Sequence, residues 1–221
     1  MKRRTAVIAI DGPAASGKSS TAQMVAEKLG YLHIDSGSLY RAATAAVLRQ
    51  DQDASRWSED DVLRAARAVE LRAARTSFYP ALDGHSIEDE IRGADVTRHV
   101  SRVAQMQRVR EWVNETVRAA AAERNVVVDG RDMGTVVFPD ADLKIFLTAD
   151  SRERAARRLR QRGTPTSEQM IVDETIRINE RDERDARQTV PAADAVVIDT
   201  TSLTQPEQVE RIVSLSESGG S

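Results

Sequence analysis

Short apolar strands alternating with helical segments predict an α/β chain, with a parallel sheet covered by helices on both faces. Three observations carry this reading. Short apolar runs recur at residues 5–10, 31–34, 126–128, 143–147 and 195–198, with longer helix-patterned stretches between them. A glycine-rich loop joins the first run to the first helical stretch. The polar motifs follow strands, where sheets of this kind bind their ligands.

The first run, Ala6-Val7-Ile8-Ala9-Ile10, has no polar face and predicts a strand buried on both sides. Residues 17–29 place Met24, Val25 and Leu29 on one side of a helix. A second strand at 31–34 leads into an alanine-rich helix at 38–50, which Ser36 or Ser38 can cap. The patterning weakens over 51–93. There, 51–58 reads as a surface loop, 60–68 as a helix, and alternating pieces surround Leu71, Phe78 and Leu82 before an Asp83-Gly84 turn. Together they read as an inserted subdomain. Residues 96–123 are helical with a break. The strand at 126–128 ends in Asp129-Gly130, and the one at 143–147 precedes a helix capped by Ser151 that runs toward Gly163. A polar helix at 167–187, a strand at 195–198, a helix at 208–215 and a frayed tail at 216–221 complete the chain.

With 221 residues, the chain fits a single domain able to bury a substantial core. It has no cysteine, which excludes disulfide scaffolds, thiolate metal sites and cysteine nucleophiles. Met1 to Arg4 are basic, but the apolar run after them stops at Ile10, too short for a signal-peptide core, and no long apolar stretch follows. A cytoplasmic location without membrane contact is the expectation. A net charge of −3 and 4% aromatic residues argue against nucleic acid as a partner. Lysine occurs only at positions 2, 18, 28 and 144 among 32 Lys and Arg residues. Genome composition accounts for much of that bias, yet arginine is also the residue that grips phosphate bidentately.

Gly12-Pro-Ala-Ala-Ser-Gly17-Lys18-Ser19 fits G-x-x-x-x-G-K-[ST] between a strand and a helix. Its backbone N–H groups can turn inward around phosphates, Lys18 can meet the β/γ oxygens, and Ser19 can offer its hydroxyl to Mg²⁺. This is the signature of a nucleoside triphosphate site with magnesium. By itself it does not separate a kinase from a motor or a switch GTPase. Asparagine occurs only at 114, 125 and 179 and never precedes lysine, so the Asn-Lys-x-Asp guanine-reading element is missing. Three further clusters point to a second anionic substrate. Asp35-Ser-Gly-Ser-Leu-Tyr-Arg41 opens a helix after the second strand. Asp129-Gly-Arg131-Asp132 closes the third: an acid there can hold the water shell of Mg²⁺, Arg131 can face a phosphate, and Asp132 can accept from an amino group. The last cluster carries Arg152, Arg154, Arg157, Arg158, Arg160 and Arg162, then Arg177, Arg181, Arg184 and Arg187 among acids. Most of these suit solvated helix faces. The rest suit a mobile lid that brings cations to a migrating phosphoryl group and expels water. No general base is evident, which fits an acceptor that is itself a phosphate. His33 reads as a packed strand residue, and Trp57 and Trp112 as packing residues.

IDGPAASGKSS, DSGSLYR, VVDGRDMGTVVFPDADLKIFL and the ERDERD run resemble bacterial cytidylate kinases over nearly the whole chain. The resemblance implies a P-loop nucleoside monophosphate kinase fold: a five-stranded parallel sheet flanked by helices, with a lid and a monophosphate-binding insert. It implies one kinase domain over residues 1–221, with a core at about 1–40, 94–160 and 190–215, the insert at about 41–93 and the lid at about 161–189. It implies phosphoryl transfer from ATP, with Mg²⁺ as cofactor, to CMP or dCMP in pyrimidine salvage, and a monomer. Gly12, Pro13, Ala14, Ala15, Ser16, Gly17, Lys18, Ser19 and Ser20 match the ATP phosphate loop, and Arg157 a position near adenine. Ser36 and Arg41 match the monophosphate side, with Arg41 and Arg131 on its phosphate. Ser101, Arg110 and Asp132 match the cytosine-reading positions, and Arg181 and Asp185 the lid positions. Lys18, Arg131 and Arg181 are the implied catalytic residues; Ser19 and, through water, Asp129 are the implied metal-side residues. The chain departs from the resemblance at Gln188, where an arginine is expected and which Arg187 could replace, and at Gln107, where a proline is common. Ser101 and Arg110 are nine residues apart, about 900° along a continuous helix, so they face opposite sides unless the helix breaks near Gln107.

Overall fold

The structure is a computed structural model in which residues 5–163 and 166–218 are described. Its centre is a five-stranded parallel sheet of β1 (Val7–Asp11), β2 (Leu32–Asp35), β6 (Val126–Gly130), β7 (Leu143–Thr148) and β8 (Val196–Asp199), in the order β2-β6-β1-β7-β8. A separate three-stranded sheet holds β3 (Val69–Ala73), β4 (Phe78–Leu82) and β5 (His85–Ser86). The helices are α1 (Lys18–Leu29), α2 (Ser36–Gln50), α3 (Glu59–Ala66), α4 (Ala94–Val103), α5 (Gln107–Ala121), α6 (Ser151–Gln161), α7 (Glu168–Asp185) and α8 (Gln205–Ser218).

The period-2 alternation of strand side chains divides the core into two layers. Ile8, Ile10, Val127, Ile145, Leu147 and Ile198 pack with α1 and α8 on one face. Ala9, Ile34, Val126 and Val128 pack with α2, α3, α4 and α5 on the other. Both faces are covered over the central strands, and β1 and β6 accordingly read as apolar runs up to their terminal acid or acid-glycine pair. Helix α2 lies inside its layer, with Ala42, Ala43, Ala45, Ala46 and Val47 all buried. Its small side chains let three other helices and the sheet approach it closely, which is what the alanine-rich stretch encodes.

The strands fall where the sequence places them; several element ends do not. The cap of α2 is neither Ser36 nor Ser38 but Asp35, which accepts from the Ser38 N–H at 3.2 Å. The cap of α6 is Asp150 and not Ser151, its carboxylate accepting from the N–H groups of Arg152 and Glu153. In both cases the acid one residue earlier lies outside helical geometry and takes the role. Residues 51–58 are more than a surface loop, since Ala54 and Trp57 are buried and the Trp57 indole donates to Asp51 O. The expected loose tail is helical to Ser218; 219–221 lie outside the described residues, as do Met1 to Arg4. The helix at 96–123 breaks into α4 and α5 around residues 104–106, the break that Ser101 and Arg110 need if both are to face one base.

Candidate active site

The carboxyl ends of β1, β2 and β6 converge on the loop that follows β1. Gly12 has φ +155°, and a Cβ there would stand 2.2 Å from Leu147 O, so only glycine lets the chain leave the sheet this close to β7. Ala15 and Gly17 follow in left-handed geometry. Helix α1 then begins at Lys18 with no side-chain cap, which leaves its positive end facing the loop. Lys18 Nζ donates to Pro13 O at 3.1 Å. Burial, reinforced by the nearby Arg131 charge, pushes Lys18 down to about 7. Ser16 Oγ is buried and has no hydrogen-bond partner among the described residues.

Strands β2 and β6 pair in register, with Asp35 opposite Asp129. Asp129 is buried, and its two oxygens have different partners. Oδ2 accepts from the Ser19 hydroxyl at 2.5 Å, and Oδ1 meets His33 Nε2 at 2.7 Å. Burial raises Asp35, and the Asp129 charge raises it further. Burial opposes a proton on His33, but the hydrogen bond and charge of Asp129 outweigh it and hold the imidazole above its ordinary value. Ser36 donates to Asp129 O at 2.8 Å, which ties the start of α2 to the same strand end.

Ser101, Arg110, Asp132, Arg131, Asp185 and Gln188 share a cavity of about 220 Å³ that reaches Lys18. The α4–α5 break turns Ser101 and Arg110 toward one space. Arg110 pairs with Asp132 and donates to Gln188 Oε1 at 2.7 Å. Burial raises Asp132 while Arg110 lowers it, and burial prevails. Gln188 thus occupies the position where the sequence comparison leads one to expect arginine, and it brings a neutral amide. Arg187 is exposed and does not line this cavity. Arg131 and Asp132 open a turn at Met133–Val137 whose first two N–H groups both donate to Asp11, at 2.9 and 2.8 Å. Burial, only partly offset by those two bonds, raises Asp11 to about 6.

The arginines divide by what they touch. Arg131 donates to Gly12 O and to Asp185 Oδ2, both at 2.8 Å, spanning the phosphate loop and the end of α7. Arg154 donates to Ala14 O at 2.9 Å and to Asp182 at 2.6 Å, and Asp182 accepts from Ala14 N at 3.2 Å. Both backbone groups of Ala14 are therefore held from α6 and α7. Arg158, Arg162 and Arg177 surround the buried carboxylate of Glu174. Arg181 Nε is buried, makes no hydrogen bond among the described residues, and stands 3.6 Å from Asp185. Arg41 donates to Ile91 O and Thr97 Oγ1, both at 3.1 Å, and shares with Lys18, Arg158 and Arg181 a cleft of about 650 Å³ facing the smaller sheet. Arg157 lies apart from these. Its guanidinium donates to Thr200 and Thr201 beside a third cavity, of about 540 Å³, that runs from Gly17 and Ser20 to Leu203 and Gln208.

Lys18 and Arg181 thus line both the 650 Å³ cleft and the 220 Å³ cavity beside one phosphate-type loop, an arrangement suited to two anionic ligands meeting end to end. Sequence reasoning missed Asp11, Arg154 and Asp182 as site residues, and it treated His33 as packing. A buried strand that ends in an acid was a usable signal for Asp11. The other three are identified by contacts with distant parts of the chain.

Comparison with known proteins agrees with this geometry. A model of the cytidylate kinase family matches residues 8–218. A cytidylate kinase of Caldanaerobacter subterraneus subsp. tengcongensis is 42% identical over 215 residues, covering 94% of this chain and 93% of its own. One from Pelotomaculum thermopropionicum is 41% identical over 220 residues, covering 96% of each. A crystal structure of an uncharacterized protein from Eubacterium ventriosum shares the fold at 12% identity, with a TM-score of 0.52, over 97% of this chain and 99% of that one.

Proposed function

The chain belongs to the cytidylate kinase family, and from that membership we propose that it transfers the γ-phosphoryl group of ATP to CMP or dCMP, giving CDP or dCDP and ADP. The observation that carries the substrate assignment is the convergence of Ser101, Arg110 and Asp132 on one cavity that reaches the phosphate-loop lysine. Cytosine offers an N4 donor that Asp132 can accept, and N3 and O2 acceptors that Arg110 and Ser101 can meet. Asp185 and Gln188 border the sugar side of the same space.

ATP lies along residues 12–20, with its base in the cavity beside Arg157. Arg41 and Arg131 take the CMP phosphate, and the segment at about 161–189 acts as the lid over both nucleotides. The smaller sheet belongs to the monophosphate-binding insert at about 41–93. Transfer needs an oxygen of the CMP phosphate in line with the γ-phosphorus of ATP and cations around the three equatorial oxygens. Lys18, Arg131 and Arg181 supply those cations. The acceptor oxygen carries no proton to be removed, so no general base is needed.

Magnesium fits the donor set beside Lys18. Ser19 Oγ and Asp129 Oδ2 are hard oxygens 2.5 Å apart, and among the described residues no three His, Cys, Asp or Glu side chains are placed to hold a metal ion by themselves. That suits an ion kept largely by phosphate oxygens and water, with Ser19 on the ion and Asp129 on its water shell. When bound, it supplies neutralisation of charge between the β- and γ-phosphates.

The test is ADP release with MgATP and each of CMP, dCMP, UMP, AMP and GMP. Fast turnover with CMP and dCMP alone is the expected result. Turnover led by another monophosphate would overturn the roles given to Ser101, Arg110 and Asp132.

A further inference from the structure

We propose that His33 is a positioning residue for the magnesium side of the site: its ring N–H fixes the Asp129 carboxylate so that Ser19 presents lone pairs, not its proton, to the cation. This rests on the assignment of Ser19 and Asp129 given above.

The three groups form a chain. His33 Nε2 stands 2.7 Å from Asp129 Oδ1, and the Ser19 hydroxyl donates to Asp129 Oδ2 at 2.5 Å. His33 and Asp129 are 6% and 1% exposed, so the contact between them is buried even though His33 borders the 650 Å³ cleft. A carboxylate with a partner on one oxygen only can rotate about its Cβ–Cγ bond. Partners on both oxygens hold the plane. With Oδ1 occupied by His33, Oδ2 is the oxygen left for Ser19. A serine hydroxyl has one proton, and once that proton is committed to Oδ2, its lone pairs are what it turns to the phosphate side. Donors behind a ligand set orient metal-binding groups in this way, and their loss typically costs 10–100-fold in metal affinity.

The backbone fixes the imidazole as well. His33 is the second residue of β2, opposite Val127 in the β6 register, and its own N–H donates to Thr76 O at 3.0 Å on the far side. The strand therefore cannot slide or turn without breaking a bond on one edge. A packing residue at this point of a buried strand would need no polar atom. A buried imidazole here is costly unless its N–H is used, and Asp129 is the group that uses it.

The experiment compares His33→Leu, His33→Gln and Asp129→Asn by titrating Mg²⁺ into protein with ADP by calorimetry, without turnover, alongside the Mg²⁺ dependence of kcat and the KM for CMP. Circular dichroism checks folding. Leucine should raise the half-saturating Mg²⁺ at least tenfold in both assays while leaving the KM for CMP within about threefold. Glutamine, whose amide can donate from nearly the same place, should recover most of that loss. If H33L does not fold, His33→Asn takes its place, because its shorter amide stops short of Asp129. Three results overturn the proposal. One is an unchanged Mg²⁺ dependence in H33L when D129N weakens it, which leaves Asp129 on the metal side but removes His33. Another is H33Q as poor as H33L, which makes the role one of ring shape. The last is an unchanged D129N, in which case the metal-side assignment itself fails.

Discussion

Nucleotide binding should draw a proton onto this enzyme at a pH where the nucleotide itself takes up none. Lys18 lies in the phosphate loop with burial and the Arg131 charge against it, and both push its ammonium down to about 7. A lowered lysine favours the folded state's neutral amine: the stability it contributes is present above the ordinary lysine value and is lost as pH falls through about 7. Bound phosphate oxygens reverse the balance and return Lys18 toward its ordinary value, about 10.5. At pH 8 the free protein then carries the charge on about one-tenth of its Lys18 groups, and the complex on nearly all, so ADP binding should take up about 0.9 proton. The terminal phosphate of ADP is already ionised there, since its second proton leaves near pH 6. Calorimetry in buffers of different ionisation enthalpy reads the uptake as a slope. The same linkage makes ADP affinity fall about tenfold per pH unit above pH 8. Lys18→Arg keeps a permanent charge and should abolish the slope, whatever it does to affinity. A slope near zero at pH 8 together with flat affinity from pH 7 to 9 would show that Lys18 is already charged in the free protein, and the dehydration argument would fail.

Arg131→Ala should lower kcat about 10²–10³-fold, the range for losing one preorganised donor at a developing charge, with the circular dichroism signal retained; a rate within tenfold of the parent assigns Arg131 to holding Gly12 and Asp185 only. Asp132→Ala should narrow the preference for CMP over UMP by about 1–3 kcal/mol. Because Arg110 pairs with Asp132, a double-mutant cycle with Arg110→Ala should be strongly non-additive, and additive losses would mean that the two act on different parts of the substrate. Asp11, raised by burial to about 6, stabilises the fold most below the ordinary carboxylate value and loses that contribution as pH rises through about 6. Urea unfolding at pH 4.5 and 7 should therefore show a pH-linked loss of about 2 kcal/mol in the parent that Asp11→Asn lacks, and equal pH dependence in the two proteins would place the Asp11 titration elsewhere.

The strands of the main sheet were legible because each carries a short apolar run; β1 and β6, buried along almost their whole length, are the clearest, and β8, where Val197 is exposed, is the least buried. The smaller sheet was legible in part: alternation around Leu71, Phe78 and Leu82 and the Asp83-Gly84 turn mark β3, β4 and the turn into β5, while most of β3 and all of β5 are exposed and carry little pattern. The helix caps misled for a local reason. Ser36 looks like a cap, yet its hydroxyl is committed to Asp129 O, and the strand-end acid before it does the capping. The break between α4 and α5 was legible without any breaker residue. In the proposed assignment Ser101 and Arg110, nine positions apart, meet one base, and a continuous helix does not allow that.

What the sequence could not reveal is pairing at long range. Asp11 meets Gly134 across 123 positions, Asp182 meets Ala14 across 168, and His33 meets Asp129 across 96. Residue type announces charge, but only the fold says which charge is already spent. The arginine surplus resolves in that way. Arg154 is committed to Asp182 and Ala14, Arg158 to Glu174, and Arg110 to Asp132. Arg181 is the exception: its Nε is buried without a hydrogen bond among the described residues, it stands 3.6 Å from Asp185, and it borders both the 650 Å³ cleft and the 220 Å³ cavity. A buried donor left in that state costs free energy in the free protein, on the order of 1–3 kcal/mol. In the proposed transfer, a phosphoryl group passing between the two spaces gives that Nε an acceptor and offsets the cost.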